Sequence, residues 1–176
     1  AAAPGSCSVS NPVVEADMEA IPSASIATTV GTPVTVATSC VNNSTTTAAL
    51  NVGCAVTGAP ADAVTSCKVD NVVVTLPLSS LAAGKAIHCE TSFTPASAGT
   101  VTITTTATSS SYDPNTGNNT VTTTLSTSLL TDMAVVITGP DTAPLNQPVT
   151  LVSTCTNNGP HPAVNALCSP SAIVEA

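Results

Sequence analysis

Apolar and hydroxyl residues alternate at a period of two through most of the chain, and turn-forming residues interrupt the alternation at intervals of roughly 8 to 15 positions. A period of two places successive side chains on opposite faces of an extended strand, so the pattern predicts half-buried β-strands. Thr, Val, Ala, Ser and Asn make up most of the sequence, and no stretch has a convincing helical pattern. The sequence therefore predicts an all-β fold.

A long internal repeat organises these strands. Residues 33–43 read PVTVATSCVNN, and residues 148–158, which begin 115 positions later, read PVTLVSTCTNN. A repeat of this length is typical of a whole small β-domain rather than a solenoid unit. We predict three parts: an extended N-terminal arm (1–16), an immunoglobulin-like β-sandwich (17–127) and an incomplete second sandwich repeat (128–176) containing strands A to C.

Seven strands are expected in the first sandwich. They are strand A at 17–26, B at 33–41, C around Val52, D at 72–78, E around Cys89, F at 100–108 and G at 120–126. Strand C is expected to place Ala48, Leu50, Val52, Cys54 and Val56 on one face. Short alternating strands with regular turn signals are typical of an immunoglobulin-like sandwich.

The second repeat stops after its third predicted strand. Three strands would leave unpaired sheet edges and an uncovered apolar face, both of which are costly and prone to aggregation. The chain is then either part of a longer repeat array or a subunit whose second repeat is completed by strands of a neighbouring copy.

Charge limits the classes of partner. Charged residues make up 7% of the chain, the net charge is −8, and Lys68 and Lys85 are the only basic side chains apart from two histidines. Because almost nothing can neutralise phosphate groups, we expect no nucleic-acid binding. No apolar run approaches the about 20 residues of a membrane-spanning helix, so we also expect no membrane insertion.

Seven cysteines occur without any Cys-x-x-Cys spacing or a nearby histidine cluster, which indicates disulfides rather than metal ligands. Disulfides predict an extracellular or cell-surface location. The start of the chain, residues 1–6, also has the small-residue character found around signal-peptidase sites.

Two pairings of the cysteines are open at this point. The second repeat holds counterparts of only two cysteines of the first, which favours Cys40 with Cys54, Cys155 with Cys168, and Cys67 with Cys89. The competing scheme joins Cys40 to Cys89 and Cys54 to Cys67, and sequence cannot settle connectivity. Cys7 is left over, so we predict an intermolecular bridge there, or else a partner in sequence outside this chain.

Catalytic chemistry is not indicated. His88 lies on a predicted strand beside Cys89, His161 lies in a turn next to proline, and the carboxylates are scattered. We expect no enzyme activity, no cofactor and no metal. One loop offers oxygen ligands for Ca²⁺ from Asp113, Asn115, Asn118 and Asn119, but a single carboxylate among asparagines is more typical of ordinary turn chemistry.

Asn42, Asn43 and Asn118 begin Asn-x-Ser/Thr patterns and are candidate glycosylation sites, although such residues also serve simply as solvated turns. Thr102, Thr104 and Thr106 alternate along strand F, like the threonine rows of ice-binding sheets. Without a matching row on a neighbouring strand, a solvated face is the simpler interpretation.

A string of motifs resembles a known family. Asp132-Met133-Ala134-Val135, the strand 148–151 and the turn Thr156-Asn157-Asn158-Gly159-Pro160 resemble the Thr-Asn-Asn-Gly-Pro type of immunoglobulin-like tandem repeat in large bacterial and archaeal surface and secreted proteins. The resemblance covers about 17–176 and departs at Ser44, where the family has Gly-Pro, and in the extra cysteines. It implies an immunoglobulin-like architecture and a surface or secreted context, and it transfers no catalytic residues.

Taken together, these features favour a structural subunit of an extracellular or cell-surface filament, a homopolymer that assembles by strand complementation between incomplete immunoglobulin-like domains and is stabilised by disulfides. The alternative is an adhesin or another ligand-binding or spacer module of a large surface repeat protein. One Phe, one Tyr and no Trp leave little for stacking on sugars, which disfavours an adhesin.

Overall fold

A computed structural model describes residues 13–169. This part of the chain forms two compact units, with the boundary between Thr127 and Ser128. We call them unit 1 and unit 2. The strands are β1 (Met18–Ile21), β2 (Ile26–Thr29), β3 (Val34–Asn42), β4 (Ala49–Thr57), β5 (Val64–Val69), β6 (Val72–Val73), β7 (Leu78–Leu81), β8 (Ala86–Phe93), β9 (Gly99–Thr108), β10 (Thr120–Ser128), β11 (Met133–Thr138) and β12 (Val152–Asn157). A single 3-10 turn (Thr116–Asn118) joins β9 to β10.

Unit 1 is an immunoglobulin-like β-sandwich, as predicted. Sheet 1 has the strand order β1-β3-β8-β5-β6, and sheet 2 has the order β2-β10-β9-β4-β7. Alternate residues of both sheets point inward and form the core, which includes Val36, Ile87, Ile103 and Leu125. The core is built mainly from aliphatic side chains and cystines, because Phe93 is the only phenylalanine in the chain.

The predicted strand A is two strands. β1 pairs with β3 in sheet 1, and β2 lies beside β10 in sheet 2. Pro22, which follows β1 directly, cannot donate a backbone hydrogen bond, and this favours the change of sheet. The arm is also shorter than predicted, because Ala16 is fully buried and its N–H donates to Tyr112 O at 2.9 Å. Residues 13–16 therefore belong to unit 1.

The prediction of one strand D over 72–78 was wrong. The structure has a hairpin of β5 and β6 in sheet 1 and then β7 in sheet 2. The hairpin turns at Asp70 and Asn71, whose φ angles of 50° and 67° are those of a type I′ turn. Asn and Asp tolerate this left-handed conformation better than most residues, so this dipeptide was the signal that the strand assignment missed.

The residues of strand C that point inward also differ from the prediction. Asn51 has a φ of 50°, which breaks the alternation in β4. Ala49 and Val52 are buried, and Leu50, between Ala49 and Asn51, is exposed. The predicted face is therefore right from Val52 onward and wrong at Leu50.

Unit 2 is a two-stranded antiparallel sheet of β11 and β12. The third strand predicted for this repeat is not formed within the part that the structure describes, since residues 163–169 contain no strand. In unit 1 the corresponding strand β4 is held between β7 and β9. Unit 2 has no counterpart of either neighbour up to residue 169, so a third strand would have nothing to pair with.

Between residues 13 and 169, no helix is long and apolar enough to cross a membrane.

Candidate assembly surface

The β11–β12 pair copies the β1–β3 pair of unit 1 in register. Met133 lies opposite Asn157 as Met18 lies opposite Asn42, and the remaining pairs follow the same offset of 115 positions. In both units the turn after the second strand is closed by the same backbone bond, 2.8 Å from Asn43 N to Asp17 O and 2.7 Å from Asn158 N to Asp132 O. The two strands of unit 2 are therefore the first and second strands of an immunoglobulin-like sandwich.

The asparagine that ends each second strand has the same role in both turns. Asn42 Oδ1 accepts from Ser44 N at 3.1 Å, and Asn157 Oδ1 accepts from Gly159 N at 3.0 Å. Each Nδ2 donates to a carbonyl of its own turn, that of Thr47 or of His161. The side chain thus replaces backbone partners in the turn, which is why the motif recurs at this position.

The two units differ in what covers these strands. In unit 1 the inward residues Met18, Ala20 and Val36 are at most 2% exposed. Their counterparts in unit 2 are Met133, Val135 and Leu151, whose exposed fractions are 44%, 61% and 59%. We call the face that holds these three residues the open face of unit 2. It has the chemistry of a sandwich core, and no residue between 13 and 169 covers it.

Three disulfides join the six cysteines that the structure describes. Their pairing is the one that the repeat favours: Cys40 with Cys54, Cys67 with Cys89 and Cys155 with Cys168. The first links the two sheets of unit 1, the second joins directly opposed residues of β5 and β8, and the third ties β12 to the segment that follows it. These bonds leave no intrachain cysteine for Cys7, which lies outside the described residues.

The asparagine-rich loop serves to hold unit 1 together. Asp113 Oδ2 accepts from Met18 N and from Asn119 Nδ2, both at 3.0 Å, and its Oδ1 accepts from Asn115 N at 2.9 Å. Asn118 Nδ2 donates to Asp17 Oδ1 at 3.3 Å. Both oxygens of the one carboxylate in this loop are therefore engaged in protein hydrogen bonds, and the loop ties β1 to the β9–β10 connection. No sequence pattern links Asp17 to this loop.

The three candidate glycosylation sites are not equivalent. Asn42 is fully buried and both hydrogens of its side-chain amide are donated, to Thr47 O and to Leu81 O, so it cannot accept a glycan on the folded unit. Asn43 is exposed, and its Nδ2 donates to Glu19 Oε2 at 2.6 Å. Asn118 is half-buried. The prediction of Asn42 as a glycosylation site was therefore wrong. Glycosylation at Asn43 and at Asn118 stays a prediction.

Both histidines serve local contacts. His88 Nδ1 lies 2.8 Å from Ser39 Oγ on the outer face of sheet 1, and His161 Nδ1 accepts from Leu130 N at 3.0 Å in unit 2. Beside His88, Lys68 Nζ lies 2.9 Å from Glu90 Oε2. The hydrogen bond and the positive charge of Lys68 lower the pKa of Glu90, and because both groups are exposed the pair contributes little to stability.

No family model and no curated protein matches the sequence. Solved structures that are similar include the CARDB domain of a Pyrococcus furiosus protein. Its crystal structure, in complex with di-metal ions, has 13% identity and a TM-score of 0.47, with 68% of this chain and 99% of that chain covered. Its solution structure has 14% identity and a TM-score of 0.45, with 65% and 96% covered. A PapD-like domain of human CEP192 has 12% identity and a TM-score of 0.30, with 73% and 94% covered.

The strand order of unit 1 itself establishes the immunoglobulin-like sandwich, and the three disulfides indicate an oxidising compartment outside the cytosol.

Proposed function

We propose that this chain is a structural subunit of an extracellular or cell-surface filament, in which a neighbouring copy completes unit 2. One observation carries the proposal: the strands of unit 2 pair in the register of a sandwich, yet the side chains of the open face are exposed, namely Met133 and Val135 of β11 and Leu151, which directly precedes β12. Apolar surface of this kind is stabilised when another sheet or strand covers it.

The position of β12 supports completion by an added strand. In unit 1 the equivalent strand β3 is paired on both sides, by β1 and by β8. Within the described residues β12 is paired only with β11, so its other edge presents free backbone donors and acceptors. A strand added there would satisfy the edge and extend the sheet beside β12. In unit 1 the equivalent face is covered by sheet 2, so covering the open face needs further residues of the neighbouring copy.

The N-terminal arm of a neighbouring copy is the proposed donor. Val14 and Ala16 pair with Tyr112 of their own unit 1, so the donated residues must precede position 13. In that stretch Cys7 and Val9 alternate with serines, which is the pattern of a strand with one apolar face. Cys7 has no intrachain partner and would add a bridge between copies.

The resemblance to the surface tandem-repeat family supports an extracellular context for this filament. The second candidate is a spacer in a longer repeat protein, which the same open face would also favour if residues following Ala176 supplied the missing strands. The two candidates differ in whether this chain alone assembles.

Aspartate substitutions on the two faces of β11 test the proposal. Val135 and Val136 are similarly exposed, at 61% and 58%, but only Val135 lies on the open face. We expect the unmodified chain to form fibres in negative-stain electron microscopy and Val135→Asp to abolish them, because a buried unpaired carboxylate is strongly unfavourable. Val136→Asp should still assemble. Fibres of Val135→Asp, or a chain that stays monomeric at every concentration, would contradict the filament.

Deletion of residues 1–12 tests the donor separately. We expect monomers, because the receiving edge stays intact but receives no strand. Normal fibres from the shortened chain, together with their loss in Val135→Asp, would show that unit 2 receives a different segment.

A further inference from the structure

The outer face of sheet 2 carries a two-dimensional array of hydroxyl groups. On β9 and β10, outward threonines lie directly opposite each other: Thr106 and Thr120, Thr104 and Thr122, Thr102 and Thr124. Thr57 of β4 opposes Thr104 on its other side. The neighbouring row that the sequence did not reveal is therefore present, and the interpretation of Thr102, Thr104 and Thr106 as an isolated row was incomplete.

This face is also free of charge. None of the five strands of sheet 2 contains Asp, Glu, Lys, Arg or His. The strands of sheet 1 hold Glu19, Lys68, His88 and Glu90, and the chain as a whole has a net charge of −8. Two copies that approach each other are repelled by their carboxylates over a distance of about 10 Å at ordinary ionic strength. The outer face of sheet 2 avoids that repulsion, because its strands place no carboxylate on it.

We propose that the hydroxyl face of sheet 2 is a contact surface for the same face of a second copy. A threonine hydroxyl both donates and accepts a hydrogen bond, so a face of threonines is complementary to itself, whereas a charged face needs an opposite partner. The γ-methyl groups between the hydroxyls supply apolar area for the same contact. A surface that recognises itself forms a two-fold symmetric contact.

The contact is weak between two single chains. Three neighbouring strands about 4.8 Å apart and about 30 Å long cover roughly 400 Å² per copy, about half of the roughly 800 Å² that each partner buries in a stable complex. Many copies held side by side raise the effective concentration and make such a contact strong. The surface therefore acts between arrays of the protein, whether or not unit 2 receives a strand.

Clustering of beads that display the full chain tests this proposal. We compare Thr122→Glu, in the middle of the array, with Ser92→Glu, which is also an exposed strand position but lies on the outer face of sheet 1. Both variants add one negative charge and leave unit 2 unchanged. We expect beads with the unmodified chain and with Ser92→Glu to cluster, and we expect Thr122→Glu to slow clustering at least about tenfold. Thr124→Glu gives a second variant on the same face, and circular dichroism checks folding.

Three outcomes would overturn the proposal: beads with the unmodified chain that stay dispersed, equal clustering of Thr122→Glu and Ser92→Glu, or loss of clustering in Val135→Asp alone, which would assign the contact to unit 2. Dispersed beads together with thermal hysteresis of ice growth would identify ice as the occupant of this face.

Discussion

Two adjacent asparagines show how much one position changes the chemistry of a residue. Asn42 lies on the inward face at the end of β3 and is fully buried, and Asn43 follows it on the surface. Both begin an Asn-x-Ser/Thr pattern, so the sequence treats them alike. The fold makes the first a structural hydrogen-bonding group and leaves the second accessible, because alternate residues of a strand face opposite sides.

We expect Asn42→Ala to destabilise unit 1 by about 2–3 kcal/mol, because it leaves the carbonyls of Thr47 and Leu81 without this partner in a buried setting. Urea unfolding followed by circular dichroism measures the change. Asn43→Ala is the matched control, and we expect it to stay within about 0.5 kcal/mol of the unmodified chain. Equal effects of the two substitutions would contradict the assigned role of Asn42.

At the scale of elements, the cystines compensate for a core of small side chains. Cys40 and Cys54 close a short loop across the sandwich, and Cys67 with Cys89 joins neighbouring strands of sheet 1. A disulfide stabilises mainly by restricting the unfolded chain, and a loop of about 15 residues is worth about 3 kcal/mol. The corresponding disulfide of unit 2, Cys155–Cys168, restrains the chain after β12, but the open face stays exposed.

We therefore expect the double substitution Cys40→Ala and Cys54→Ala to lower the unfolding free energy of unit 1 by about 3 kcal/mol, as measured by urea titration. Mass spectrometry of a non-reduced pepsin digest provides the connectivity, and it should contain peptides joined through Cys40–Cys54 and Cys67–Cys89. A peptide pair joined through Cys40 and Cys89 would support the competing scheme instead.

At the scale of the whole molecule, stability is unevenly distributed. Unit 1 has two five-stranded sheets around a closed core, and unit 2 has one two-stranded sheet with its apolar residues exposed. An isolated pair of strands is marginally stable in water. The stability of unit 2 thus depends on what covers its open face, and this dependence is the physical basis of the proposed assembly.

Hydrogen–deuterium exchange of the monomer should show this difference directly. We expect the amides of β11 and β12 to exchange rapidly and those of β3 and β8 to be protected, because local opening of unit 2 exposes little new apolar surface. In assembled material the amides of β12 should become protected. Equal protection of β3 and β12 in the monomer would contradict the description of unit 2 as an open half-sandwich.

The sequence by itself determined the all-β fold, the repeat of 115 positions and most strand positions of unit 1, because a two-residue period and turn-forming residues are local signals. It also favoured the cysteine pairing that the structure has, through the two cysteines that recur in the second repeat. These properties depend on neighbouring residues or on comparison of the chain with itself.

Only the tertiary structure decided which strands share a sheet, and with it the split of strand A, the β5–β6 hairpin and the displacement at Asn51. It decided too that Asn42 is buried, that Asp113 holds β1, and that the threonines of β9 and β10 lie opposite each other. Each of these depends on contacts between residues far apart in the chain, and a local pattern carries no information about which distant strand lies beside it.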